Sequence, residues 1–163
     1  MKRLLLVLIT LFLMTSCTSD AQLEAKYEAY RSSYQNLLNS TSFLERSNQF
    51  SISAEVSDLG DGQYRYDVYI DEAQIAMYDL EILAIVDEGL LVISDDMMPS
   101  IGIYDDLEYA MVPYQINTDA GYVKGFNLNG ISTKKPIILK VSVSWKDYFK
   151  IRSYKEIFRF ELN

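Results

Sequence analysis

At Asn48 the spacing of the apolar residues changes from a helical period to a strand period. Upstream, Leu23, Tyr27, Tyr30, Tyr34 and Leu37–Leu38 recur in steps of three and four. That spacing puts them on one stripe of a helix, with Glu24, Lys26, Arg31 and Gln35 on the opposite face. Downstream, Phe50, Ile52, Ala54 and Val56 alternate with Ser51, Ser53, Glu55 and Ser57, as a half-buried strand does. A chain patterned this way folds as one amphipathic helix followed by a sheet.

The helix is expected over about residues 20–39. Ser19 and Gln22 have capping-box spacing, and a resumption is possible through 42–46. Gly60-Asp61-Gly62 turns the chain into a second strand, where Tyr64, Tyr66, Val68 and Ile70 alternate with polar residues. A third strand, about 77–86, is apolar on both faces at 82–86, so it must be central and covered twice. Leu90–Ile93 reads as a short fourth strand, 94–106 as a long loop, and 107–112 and 122–129 as further strands. The closing hairpin is the clearest element. Ile137, Leu139, Val141, Val143 and Trp145 face one way, Lys146-Asp147 begins the turn, and Phe158, Phe160 and Leu162 return. Seven or eight short strands with turn signals between them point to a β-sandwich.

That closing hairpin resembles the last two strands of immunoglobulin-like domains on bacterial surface proteins. The resemblance covers about 50–163, without the cysteine–tryptophan–cysteine signature of antibody domains. It implies a mostly β, immunoglobulin-like β-sandwich preceded by one N-terminal amphipathic α-helix. The competing expectation is a cystatin-like or NTF2-like α+β unit, in which the helix packs on a curved sheet.

The N-terminus carries a different signal. Met1-Lys2-Arg3 is a short basic head, and Leu4 to Met14 is a run of 11 residues without charge. This fits a secretory leader and is too short for a membrane span, which needs about 20 apolar residues. The run ends at Met14-Thr15-Ser16-Cys17, which resembles the lipobox of bacterial lipoproteins, with methionine where that family most often has leucine. The resemblance implies removal of residues 1–16 as a signal peptide. It also implies a diacylglycerol thioether on Cys17, with an N-acyl chain in many members, and an anchor on the extracytoplasmic face of a membrane. Residues 17–19 then form the lipidated N-terminus, 20–48 the helical segment and 50–163 the sandwich. Cys17 is the only cysteine of the 163 residues. Two acyl chains are enough for stable anchoring, at about 0.8 kcal/mol per buried CH₂.

Composition limits the chemistry. Without Lys2 and Arg3, 13 basic residues face 23 acidic ones, a balance of −10. That repels nucleic-acid phosphates and gives no electrostatic pull toward anionic headgroups. No histidine is present, so histidine-based nucleophile systems and Cys/His zinc sites are excluded. No other cofactor is expected. The glycines and aspartates at 58–62 fit a tight turn. Counted as a calcium loop from Asp58, their twelfth position is Tyr69, which cannot ligate.

Two surfaces are candidates for an envelope protein partner. One is the helix stripe at Tyr27, Tyr30 and Tyr34, where packing on the chain's own sheet is the plainer reading. The other is the loop at Met97, Met98 and Pro99, flanked by Asp95, Asp96, Asp105, Asp106 and Glu108. Those carboxylates read first as a solvated loop and second as a cation or acid/base site. The thirteen tyrosines read first as core and second as an adhesive surface. The expected function is therefore a non-catalytic binding or structural module of the envelope. The alternatives are a carboxylate-based glycan hydrolase, or a small-ligand carrier with a pocket between helix and sheet.

Overall fold

The computed structural model describes residues 16–87, 98–104 and 107–163. One helix, α1 (Ser16–Leu38), precedes seven strands: β1 (Ser51–Gly60), β2 (Gln63–Asp71), β3 (Tyr78–Val86), β4 (Ser100–Ile101), β5 (Phe126–Ser132), β6 (Ile137–Lys146) and β7 (Ser153–Leu162). They form two antiparallel sheets, ordered β1-β2-β5 and β4-β3-β6-β7. The chain is a mostly β sandwich preceded by a helix. α1 lies on the outer face of the four-stranded sheet, as the α+β alternative would place it. The second sheet closes the inner face, which that alternative lacks.

The alternation read from the sequence sets which face is buried. Val68, Ile70 and Leu128 meet Ile82, Ala84, Leu139, Val141 and Val143 in the inner layer. Phe50 adds edge-to-face contacts with Trp145 and Phe158, with centroids 5.8 and 5.9 Å apart. β3 is covered twice, as its unbroken apolar run requires. Its other face presents Leu83 and Ile85 to Tyr30, Tyr34 and Leu37 of α1. Ser142 sits between Leu83 and Ile157 in the same cross-strand row, and its small side chain leaves room for the helix.

Lys140 fastens the helix to the sheet. It is 8% exposed on the outer face, and its Nζ donates to the Leu38 carbonyl at 2.6 Å. A cation there satisfies an orphan carbonyl and the negative end of the helix dipole.

Several boundaries differ from expectation. α1 is already helical at Ser16, so Ser19 lies within it rather than at its cap. The helix does not resume at 42–46. Leu44 instead bridges to Phe158, its N–H donating to the Ile157 carbonyl at 2.8 Å. Residues 107–112 form isolated bridges, Met77 with Met111 and Ala110 with Tyr122, because a turn at Pro113-Tyr114 cuts the segment short. β5 starts at Phe126 and runs past Asn129-Gly130 to Ser132. Gly130 stays in the strand because the ring of its partner Tyr66 fills the space a side chain would take, 2.3 Å from its Cβ position. The strand expected at Leu90–Ile93 lies outside the described residues. Within the expected loop, Ser100–Ile101 pairs with β3.

Candidate functional site: the exposed aromatic end of the sandwich

The two surfaces singled out from sequence meet each other. The Met98 N–H donates to the Tyr30 hydroxyl at 2.9 Å, and the Ala84 N–H donates to the Pro99 carbonyl at 3.0 Å. Tyr27 meets Tyr104 with ring centroids 5.2 Å apart, and their hydrogen bond raises the Tyr104 pKa. Burial raises the Tyr30 hydroxyl as well, against the lowering effect of its bond from Met98. These contacts correct the partner assignment. Tyr30 and Tyr34 are 3% and 1% exposed, so their surfaces are consumed inside the fold. Met98 and Pro99 seal the seam between α1 and the edge of β3. Tyr27 stays half-buried, and Met97, Asp95, Asp96, Asp105 and Asp106 lie outside the described residues. Cys17 stands in the first turn of α1.

The exposed apolar surface lies elsewhere. The loop between β6 and β7, residues 147–152, carries Tyr148, Phe149 and Ile151 at 70%, 74% and 81% exposure. It is nevertheless held firmly. The Asp147 carboxylate accepts from the Ile151 and Arg152 N–H groups at 3.0 and 3.4 Å. The Lys150 N–H donates to the Asp147 carbonyl at 2.8 Å. Lys150 Nζ reaches down to Asp79 at 2.6 Å and Glu108 at 2.7 Å, and Lys146 Nζ reaches Asp79 at 3.0 Å. Burial would raise the Asp79 carboxyl, but the bonds from Lys150 and Lys146 outweigh it and hold its pKa down. Asp79 and Glu108 in turn raise the Lys150 ammonium. An aromatic chain backs the loop: Tyr122 to Tyr78 at 6.3 Å, Tyr78 to Tyr148 at 5.9 Å, Tyr148 to Phe149 at 5.2 Å.

Beside this loop, at the same end of the sandwich, opens a cleft of about 640 Å³ between the 72–74 link and residues 111–116. Tyr114 stands fully exposed at its rim in a left-handed turn (φ 65°), next to the 65% exposed Ile116. Glu72 is the one carboxylate on its wall, and it accepts from the Ser51 hydroxyl at 2.9 Å. Glycan hydrolysis uses two carboxylates across a cleft, so this wall lacks the pair. A carrier pocket between helix and sheet is opposed by the aromatic and leucine side chains that fill that layer. No group of three or more metal-ligating side chains occurs among the described residues.

Sequence reasoning missed this end. The available signal was Tyr148-Phe149-Lys150-Ile151, an apolar run inside a hairpin loop, where polar turn residues are the rule. The fold and its surface together define a helix-covered antiparallel β-sandwich with an exposed aromatic end. No protein family, curated protein or solved structure was found to match the chain.

Proposed function

We propose that this chain is a lipid-anchored module of a bacterial cell envelope, held through Cys17 on the extracytoplasmic face and acting by binding rather than by catalysis. The observation that carries the reading is Met14-Thr15-Ser16-Cys17, closing a charge-free run of 11 residues with the chain's only cysteine. Among the described residues no helix is long and apolar enough to cross a membrane, so attachment through covalent lipid is the mechanism this reading needs. The sandwich is of the immunoglobulin-like kind, and its strand order supports this. The first, second and fifth strands share one sheet, and the third, sixth and seventh share the other. That is the split of A, B and E against C, F and G. β4 joins the edge of β3. Such domains present loops at their ends to partners, and the partner here is another envelope component.

The test is metabolic labelling of cells expressing the full chain with radioactive fatty acid. Wild type incorporates label and Cys17→Ser does not. Equal labelling of both, or of neither, overturns the anchor.

A further inference from the structure

We infer that the loop Asp147–Arg152 is a second membrane contact, its Phe149 and Ile151 side chains entering the interface of the same bilayer that holds the anchor. The inference rests on the proposed lipidation of Cys17.

The direction of α1 is the first support. Tyr27 meets Tyr104, just beyond Gly102, which abuts the Leu80 carbonyl. At the other end, Leu38 meets Lys140, the cross-strand partner of Ile85. Moving up the helix from Tyr27 to Leu38 therefore climbs β3 from about its residue 80 to 85. α1 runs in the direction of β3, and its N-terminus aims past the end where β3 begins. Cys17 precedes Tyr27 by ten residues of continuous helix, about 15 Å at 1.5 Å per residue. The β6–β7 loop occupies that same end, because Lys146 pairs opposite Tyr78. Anchor and loop thus leave the sandwich on one side.

The second support is where the exposed apolar side chains fall. Tyr148, Phe149 and Ile151, together with Tyr114 and Ile116 across the cleft, are 65% exposed or more, all at the anchor end. At the opposite end only Leu59 and Ile131 are comparably exposed among the described residues, one on each of two separate elements. Clustered exposed apolar residues mark an interaction surface, and scattered ones need no explanation.

Chemistry selects lipid as the occupant. An aromatic pair beside an aliphatic residue, flanked by Lys150 and Arg152, is the composition of a membrane–water interface. The foot of the loop is electrically quiet, because Lys146 and Lys150 are matched by Asp79 and Glu108. Contact is therefore driven by apolar burial and resists salt, as the chain's acidic balance requires. The Asp147 bonds fix the loop before contact, so little ordering is lost on insertion. The tether supplies a high local concentration, so a weak contact suffices.

The test uses the full chain expressed in bacteria, with membranes isolated and fatty-acid incorporation measured on the same sample. Phe149→Cys carries a solvatochromic fluorophore, and Leu59→Cys carries it at the opposite end. The inference expects the label at 149 to be blue-shifted and quenched several-fold more by nitroxide lipid than by aqueous iodide. The label at 59 shows the reverse, and 1 M salt changes neither. Position 149 as open to iodide as position 59, in a protein that does incorporate fatty acid, overturns this inference alone. Protection from both quenchers means a protein covers the loop, and also overturns it. Absence of fatty acid overturns the anchor and this inference with it. Ile151→Asp, whose side chain already faces water, folds normally and lowers lipid quenching at 149.

Discussion

Replacing Lys140 with methionine is expected to cost about 2 kcal/mol and to loosen α1 before the sandwich unfolds. The Lys140 side chain is only 10% exposed, and its ammonium has three neighbours. They are the Leu38 carbonyl at 2.6 Å, the Asp87 carboxylate at 3.1 Å and the Phe43 ring at 5.7 Å. Methionine keeps the apolar stem and removes the charge. A hydrogen bond to a charged group contributes about 1.5–3 kcal/mol, and the helix-dipole interaction is part of that same contact. Asp87 is about one-third exposed, so water replaces its lost partner at small cost. No longer burying an ammonium offsets a fraction of the loss. The balance is about 2 kcal/mol, a large share of the about 5–15 kcal/mol that holds most domains folded. With a urea m-value of about 1–3 kcal/mol/M, the unfolding midpoint falls by about 1 M. Hydrogen exchange of the amides from Tyr30 to Leu38 is the sharper readout, because undocking exposes them without melting the sheets. A midpoint within about 0.2 M of wild type, with α1 protection unchanged, would refute the claim that Lys140 docks the helix.

Gly102→Ala places a Cβ 1.9 Å from the Leu80 carbonyl oxygen, at φ 73°. It is expected to cost more than about 2 kcal/mol in thermal unfolding, against about 1 kcal/mol for Gly62→Ala, where nothing lies within 4 Å. Burial, with a smaller effect from Tyr30, pushes Tyr66 up to about 12 from its ordinary 10.0. Its contribution to stability is complete below pH 10 and is lost as pH rises through about 12. Alkaline unfolding followed by circular dichroism should shift upward in Tyr66→Phe, and coincident curves would count against this origin. Asp67 is held below the carboxylate range by Arg65, whose Nε and Nη2 donate at 2.8 Å, and by Asn127 at 3.2 Å. That stability is present above the unfolded carboxylate pKa of 3.8 and lost as pH falls below it. Asp67→Asn should flatten the acid limb by less than about 1 kcal/mol, since Arg65 is half exposed; an unaltered acid limb would contradict this.

The sequence made the sheets legible and left the site hidden, for different physical reasons. Strand faces follow a period of two, so Ile137 to Trp145 declared an inner face, and Ile82 to Val86 declared that β3 had to be covered twice. Both follow from burial alone and need no knowledge of neighbours. The tyrosines of α1 carried the same kind of information, and their helical stripe is the buried one. Lys140 was misleading in a consistent way. At an alternating outer position a lysine reads as solvent-facing, and only the arrival of a helix end over it turns it into a buried cap. The segment 107–124 was misjudged because its pairings are single bridges to residues far along the chain, which leave no periodic trace.

The loop at 147–152 reverses the usual inference. Apolar residues in a turn have no core to enter, so their exposure is a property of the folded chain and not a fault in it. The Asp147 cap and the Lys150 ion pairs hold those side chains outward when local collapse would bury them. A structural turn needs polar residues there and gains nothing from Phe149 and Ile151. A surface that must meet an apolar medium needs both the side chains and the rigid mount. Because α1 carries Cys17 past that same end, the tether and the loop impose one orientation together. The protein stands with β3 rising from the bilayer, its Gly60–Gly62 turn at the far end facing away.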